Sequence, residues 1–128
     1  MSTYEVTVER SFKASHALRL PDGGLEEPHE HTWSVTVAFR SDTLDEPMGV
    51  VVDFEQVDRV LRAIADDVEG ADLGDLPALA GASPSAERVA EWLAGLLAER
   101  LDAGARLYSV TVTEAPGCRA AFYPACRP

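Results

Sequence analysis

The segment 29–41, HEHTWSVTVAFRS, decides the fold, because polar and apolar residues alternate along most of its length. Alternation with a period of two predicts a β-strand that buries one of its faces. Side chains two positions apart on a strand point to the same side. A strand that begins by His29 therefore projects the imidazoles of His29 and His31 in the same direction.

A second run with the same period precedes this segment, over about residues 4–15, and its mainly apolar face ends at His16. The chain has three histidines, and all of them lie at these two strand ends. A hairpin of the two strands would bring three neutral imidazoles together with a fourth position open, as in catalytic zinc sites. The alternative is that each histidine is a surface or loop residue, since a His-x-His pair often arises by chance.

The composition indicates one globular domain over residues 1–128, with 46% hydrophobic and 26% charged residues. A formal charge of −11 argues against nucleic-acid and membrane partners. It also disfavours a highly phosphorylated substrate unless Arg10, Lys13 and Arg19 gather. No signal peptide or membrane span is visible, so we expect a cytoplasmic protein whose Cys118 and Cys126 are reduced thiols.

Two amphipathic helices are predicted between the strands. Asp53 is the expected N-cap of the first, and apolar residues recur at helical spacing over 57–68. Residues 83–85 start the second, with Pro84 in its first turn and a core-facing stripe over 89–101. Further strands are predicted at 50–52, 107–114 and 119–123. The order β-β-(β)-α-α-β-β indicates an α+β domain with both helices on one face of an antiparallel sheet.

Five short blocks then follow one another along the chain. They are F-x-A-x-H at 12–16, H-x-H at 29–31, GVVVDF at 49–54, PSAE-x-x-A-x-W at 84–92 and V-x-V-x-E at 110–114. Together they resemble the 6-pyruvoyl-tetrahydropterin synthase family, including its 6-carboxytetrahydropterin synthases. The resemblance implies a tunnelling fold, in which a four-stranded antiparallel sheet with two helices assembles through a trimeric β-barrel that usually doubles to a hexamer.

The resemblance also implies roles for individual residues. It implies a zinc ion on His16, His29 and His31. Glu114 matches the family's carboxylate that binds the 2-amino-pyrimidinone edge of a pterin. A carboxylate can accept two parallel N–H bonds from such an edge, which fixes its orientation. The alternative for Glu114 is an exposed acid at a strand end.

The chain departs from the family pattern at the groups that transfer protons. The family's cysteine, usually four residues before His-x-His, is Leu25 here, and the supporting histidine of a later loop is absent because none follows His31. Glu30 also stands where the family usually has glycine. Since general acid–base groups each contribute roughly 10²–10⁴-fold in rate, the ordinary synthase reaction is not expected.

Three interpretations follow. In the first, Glu26 or Glu27 replaces the cysteine as general base, as in a branch of the family that cleaves the pterin side chain by a retro-aldol route. The alternative for this pair is a solvated acidic loop.

In the second interpretation, the scaffold serves a C–C bond-forming cyclisation of an amine and an aldehyde, including Pictet–Spengler chemistry. The base would then come from Glu26, Glu27, Glu30 or Glu114. In the third, the protein is a non-catalytic pterin- or purine-binding module. We expect a zinc-dependent lyase or cyclase that acts on a small molecule as a homo-oligomer, and Cys118 is interpreted as an incidental thiol.

Overall fold

The computed structural model describes residues 2–125. Strands β1 (Tyr4–His16) and β2 (His29–Ser41) come first, helices α1 (Phe54–Val68) and α2 (Ala86–Arg100) follow, and strands β3 (Leu107–Ala115) and β4 (Cys118–Phe122) come last. The sheet order is β1-β2-β3-β4, and every neighbouring pair is antiparallel. The predicted α+β architecture, a four-stranded antiparallel sheet with two helices, is confirmed.

The β1–β2 hairpin has the register that the alternating sequence demands. Phe12 pairs with Trp33, Ala14 pairs with His31, and His16 pairs with His29. Odd positions of β2 and even positions of β1 therefore share one face of the sheet, and this face is buried. Its fully buried side chains are Ala14, Trp33, Val35, Val37, Phe39, Val110 and Val112.

The two helices cover this face. Asp53 caps α1 by accepting a 2.9 Å hydrogen bond from the amide of Glu55, and Ser85 caps α2 by accepting from Arg88. Pro84 therefore lies just before the N-cap of α2, whereas the sequence predicted it within the first turn of the helix. Helix α1 packs on β1, and α2 packs on β3 and β4. No helix within residues 2–125 is long and apolar enough to cross a membrane.

The predicted strand over residues 50–52 does not form. Val50 makes an isolated bridge to Asp45, and Val51 and Val52 are buried in the core without pairing to the sheet. The physical reason is length, because the segment runs directly into the cap of α1 at Asp53 and leaves too few residues to extend a ladder. Its apolar side chains fill the core instead.

The antiparallel topology places the functional candidates at one end of the sheet. The end of β1, the start of β2 and the end of β3 meet there, which brings His16, His29, His31 and Glu114 into one neighbourhood. Cys118 is exposed at the start of β4. Cys126 lies outside the described residues, so the redox state of the two thiols stays a prediction.

Candidate metal centre

The three histidines converge as the hairpin predicts. Their ring centroids lie 4.6 Å apart for His16 and His29, 5.2 Å for His16 and His31, and 4.7 Å for His29 and His31. One ring nitrogen from each lies within 4.8 Å of the others. Since zinc–imidazole bonds measure about 2.0–2.1 Å, one ion can reach all three nitrogens after small side-chain adjustments.

Backbone carbonyls orient two of the rings. Nδ1 of His16 donates a 2.9 Å hydrogen bond to the carbonyl of Pro84, and Nδ1 of His29 donates a 3.0 Å bond to the carbonyl of Glu27. In neutral rings that donate through Nδ1, the other nitrogen keeps its lone pair for a metal. A second-shell acceptor of this kind is the usual partner of a metal-binding imidazole.

Two buried nitrogens in this cluster make no hydrogen bond within the protein. They are Nε2 of His16 and Nε2 of His31. Burying a polar group without a partner costs free energy, so a native site is expected to supply one. Ring nitrogens of three imidazoles within 4.8 Å of one another suit a borderline cation such as zinc. The residues present therefore fit the ion that the fold family implies.

The electrostatic surroundings keep His31 in the ligating form. Burial lowers the pKa of His31 below its usual value, and the neighbouring rings of His16 and His29 act in the same direction. The carboxylates of Glu114 and Glu26 oppose this effect without cancelling it. A neutral imidazole is the form that binds a metal.

Glu114 lies against the histidines. Its Oε1 is 2.9 Å from Nε2 of His16 and 3.9 Å from Nε2 of His31. Its side chain is 26% exposed, whereas that of His16 is 1% exposed. Glu114 lines two surface clefts, of about 460 Å³ beside His31 and about 520 Å³ beside Cys118. The carboxylate thus has one side toward the buried nitrogens and another toward solvent.

The two candidate bases have different positions. Glu26 is half-buried, and its Oε1 accepts a 2.9 Å hydrogen bond from the amide of Leu18. Its charge acts on the pKa of His31. Glu27 is exposed and approaches the site through its carbonyl oxygen alone, which accepts from His29. Of the two side chains, that of Glu26 is the less exposed, and its charge is the one that acts on the pKa of His31.

The position of the family's cysteine is a surface position here. Leu25 is 66% exposed and lines a cleft of about 300 Å³ together with Glu26. Asp72 and Asp75 line the same cleft, which sequence reasoning did not include among the candidates. The carbonyl of Pro84 was also missed. No local pattern identifies these three residues, because they lie far along the chain from Glu26 and His16, beside which the fold places them.

The three basic residues considered for a phosphorylated substrate do not gather. Arg10 forms an ion pair with Asp58 on α1. Lys13 lies on the opposite face of β1, as its odd position requires, and Arg19 lies in the loop after the strand. One chain therefore offers no basic cluster beside the histidines.

Comparisons with known proteins agree with this architecture. The Caenorhabditis elegans 6-pyruvoyl tetrahydropterin synthase is 21% identical, with a TM-score of 0.84 over 98% of both chains. The Plasmodium vivax synthase is 18% identical, with a TM-score of 0.78 over 97% of this chain and 99% of that one. An uncharacterised protein from Wolinella succinogenes is 23% identical, with a TM-score of 0.74 over 98% of this chain and 100% of that one. These likenesses establish the tunnelling fold.

Sequence comparison adds the family. A search among curated proteins gave no match. The family described as 6-pyruvoyl tetrahydropterin synthase matches residues 5–125, which is nearly the whole chain. The histidine cluster, Glu114 and the four-stranded sheet all lie within this matched region. The chain therefore belongs to the 6-pyruvoyl tetrahydropterin synthase family.

Proposed function

We propose that this protein is a zinc-dependent lyase or cyclase with altered acid–base residues, which acts on a pterin-like substrate or on another amine or aldehyde. His16, His29 and His31 would hold the ion. The observation that carries the proposal is the convergence of three imidazoles, two of them oriented by carbonyls and two with unpartnered buried nitrogens. A zinc ion with three protein ligands supplies Lewis-acid polarisation of a substrate oxygen.

Glu26 is the proposed general base, with Glu27 as the other candidate. The hydrogen bond that the Leu18 amide donates to Oε1 of Glu26 fixes the Glu26 side chain. Its other carboxylate oxygen, Oε2, is the one that would take a proton from the substrate. Two solved structures of the P. vivax synthase replace a glutamate and are described as catalytic-residue mutants. A glutamate thus serves catalysis in a protein of the same fold, which supports this assignment.

Glu114 is the proposed substrate-binding residue. It is the penultimate residue of β3 and lies beside the histidines, and the other side of its carboxylate is exposed to solvent. A carboxylate in this position can accept two N–H bonds from the edge of a nitrogen-rich ring. The ring would then present its side chain toward His31 and Glu26.

We also propose that the protein works as a homo-oligomer, a trimer or a hexamer. Both outer strands of the sheet, β1 and β4, have one edge without a strand partner among the described residues. Such edges pair readily with another chain, and pairing of β1 with β4 of a neighbour would close a barrel. Sedimentation velocity tests this point, and a monomer at micromolar concentration would contradict it.

A second function is favoured by the charge around the site. Acidic side chains outnumber basic ones in the neighbouring clefts, which are lined by two arginines, Arg19 and Arg119, and by five acids: Glu26, Asp72, Asp75, Glu87 and Glu114. Acidic surroundings stabilise a cationic iminium, the intermediate of an amine–aldehyde cyclisation. A C–C bond-forming cyclase of the Pictet–Spengler type is therefore the alternative.

One experiment separates the two functions. The zinc-loaded protein is incubated with dihydroneopterin triphosphate and, in parallel, with dihydroneopterin, and the products are identified by mass spectrometry. A shortened or rearranged pterin that disappears in the Glu26→Gln variant supports the first proposal. An unchanged pterin, with zinc bound and the oligomer intact, contradicts a pterin-like substrate and directs the search to amines and aldehydes.

A further inference from the structure

The carboxylate of Glu114 lies where a fourth ligand of a metal ion on the three histidines would lie. Its Oε1 lies 2.9 Å from Nε2 of His16 and 3.9 Å from Nε2 of His31. Ligand atoms around a tetrahedral zinc ion, with bonds of about 2.0–2.2 Å, lie roughly 3.3–3.6 Å apart. The two measured distances bracket this separation. Small movements would place Oε1 at the vertex that the three imidazoles leave open.

A direct hydrogen bond does not account for this approach. Nδ1 of His16 already donates to the carbonyl of Pro84, and Nε2 of His16 makes no hydrogen bond within the protein. Nε2 of His31 likewise makes no hydrogen bond within the protein. The carboxylate oxygen of Glu114 therefore lies beside two buried ring nitrogens without a hydrogen bond to either of them. A cation bound between these atoms would give all three a partner.

From this geometry we infer that Glu114 is a fourth ligand of the metal ion in the absence of substrate, and that it leaves the ion when it accepts the N–H groups of the substrate. The inference rests on the proposed function, because it requires the ion to sit on the three histidines. In this scheme the metal ion and the substrate compete for the carboxylate of Glu114. The fourth position on the ion would open only as substrate binds, which would limit reactions with water in the resting enzyme.

Metal titration of variants tests the inference. Zinc affinity is measured by chelator competition, and Co²⁺ is used as a spectroscopic probe of the ligand set, in the wild type and in Glu114→Gln. We expect Glu114→Gln to weaken zinc binding at least about tenfold, since even residues that only support a ligand contribute 10–100-fold. The visible absorption bands of bound Co²⁺ should change. Glu87→Gln is the matched control, because Glu87 lines the same cleft at an exposed position, and it should bind zinc as the wild type does.

A shorter acid separates ligation from charge. Glu114→Asp keeps the negative charge and withdraws it by one methylene, so it should also weaken zinc binding if Oε1 contacts the ion. Full zinc affinity in Glu114→Asp would mean that charge alone matters and would overturn the inference. Circular dichroism and sedimentation confirm that each variant keeps its fold and assembly.

The substrate side of the inference has its own readout. Addition of a pterin to the Co²⁺-loaded wild type should shift the visible bands, and Glu114→Gln should show no shift. Unchanged zinc affinity and unchanged bands in Glu114→Gln, together with lost pterin binding, would overturn the inference and leave the proposed function intact. Full zinc affinity in His31→Ala would overturn the metal site itself and with it both proposals.

Discussion

The indole Nε1 of Trp33 donates a 3.0 Å hydrogen bond to the carbonyl of Ala14, two residues before His16. Trp33 is fully buried, and its ring packs edge-on against His16 and His31, at centroid distances of 4.9 and 5.8 Å. One core side chain thus ties β2 to β1 and positions two of the three imidazoles. The stability of the hairpin and the geometry of the metal centre therefore depend on the same residue.

Replacement of Trp33 by phenylalanine should destabilise the fold and weaken metal binding together. The Ala14 carbonyl would lose its partner, which lowers the free energy of unfolding by roughly 1–3 kcal/mol, and the smaller ring adds a cavity term. Zinc affinity should fall because His16 and His31 lose their packing. Chemical denaturation and chelator competition measure the two effects. Leu25→Ala, at an exposed position, is the control and should change neither.

Removal of a single imidazole should abolish stable zinc binding. We expect His29→Ala and His31→Ala to bind substoichiometric zinc after dialysis, because two imidazoles hold the ion far less firmly than three. Atomic absorption of the purified proteins gives the stoichiometry. Glu30 lies between the two histidines in sequence and on the opposite face of β2. The control variant Glu30→Gln should therefore keep its full zinc content. Full zinc in both alanine variants would refute the site.

The two adjacent glutamates should differ in turnover. Glu26→Gln should lower kcat by about 10²–10⁴-fold, the range for a general base, and Glu27→Gln should stay within a few-fold of the wild type. The difference follows from the half-buried side chain of Glu26, whose charge acts on His31, and from the outward side chain of Glu27. Steady-state kinetics with the substrate found by mass spectrometry gives the comparison. Unchanged turnover in both variants, and in the double variant, would place the base elsewhere.

The ion pair of Arg10 with Asp58 should make the stability of the fold depend on pH. The hydrogen bond from the Arg10 guanidinium lowers the pKa of Asp58, and Arg62 contributes in the same direction. The folded state therefore binds this proton less readily than the unfolded state, where aspartate has a pKa of about 3.9. The pair stabilises the fold above that value, and the contribution is lost as the pH falls through the lower pKa of the folded state.

Melting temperatures of Asp58→Asn test this dependence. The variant should melt below the wild type at pH 7, and the difference should shrink as the pH falls from 5 toward the acid limit of folding. Asp42→Asn, at an exposed position in the turn after β2, should melt with the wild type at every pH. A constant difference between Asp58→Asn and the wild type across this range would contradict the assignment.

Local patterns in the sequence determined the four main strands, the two helices and the histidine cluster. Period-two alternation requires β1 and β2 to share a buried face, and an antiparallel hairpin then places His16 opposite His29. Asp53 and Ser85 indicated where the two helices begin, because their side chains accept hydrogen bonds from amides that the first turn of a helix leaves free. These conclusions needed only interactions between residues that are neighbours along the chain or across one hairpin.

The tertiary structure alone decided how the cluster is supported and how far each neighbouring acid is exposed. The Pro84 carbonyl reaches His16 across 68 positions, and the oxygen of Glu114 approaches His16 from β3. The choice of Glu26 over Glu27 depends on a bond to Leu18 across the loop. Residues 50–52 joined the core rather than the sheet because the cap of α1 at Asp53 leaves too few residues to extend a ladder. Contacts between distant segments depend on how whole elements pack, and periodicity reports only which face of each element is buried.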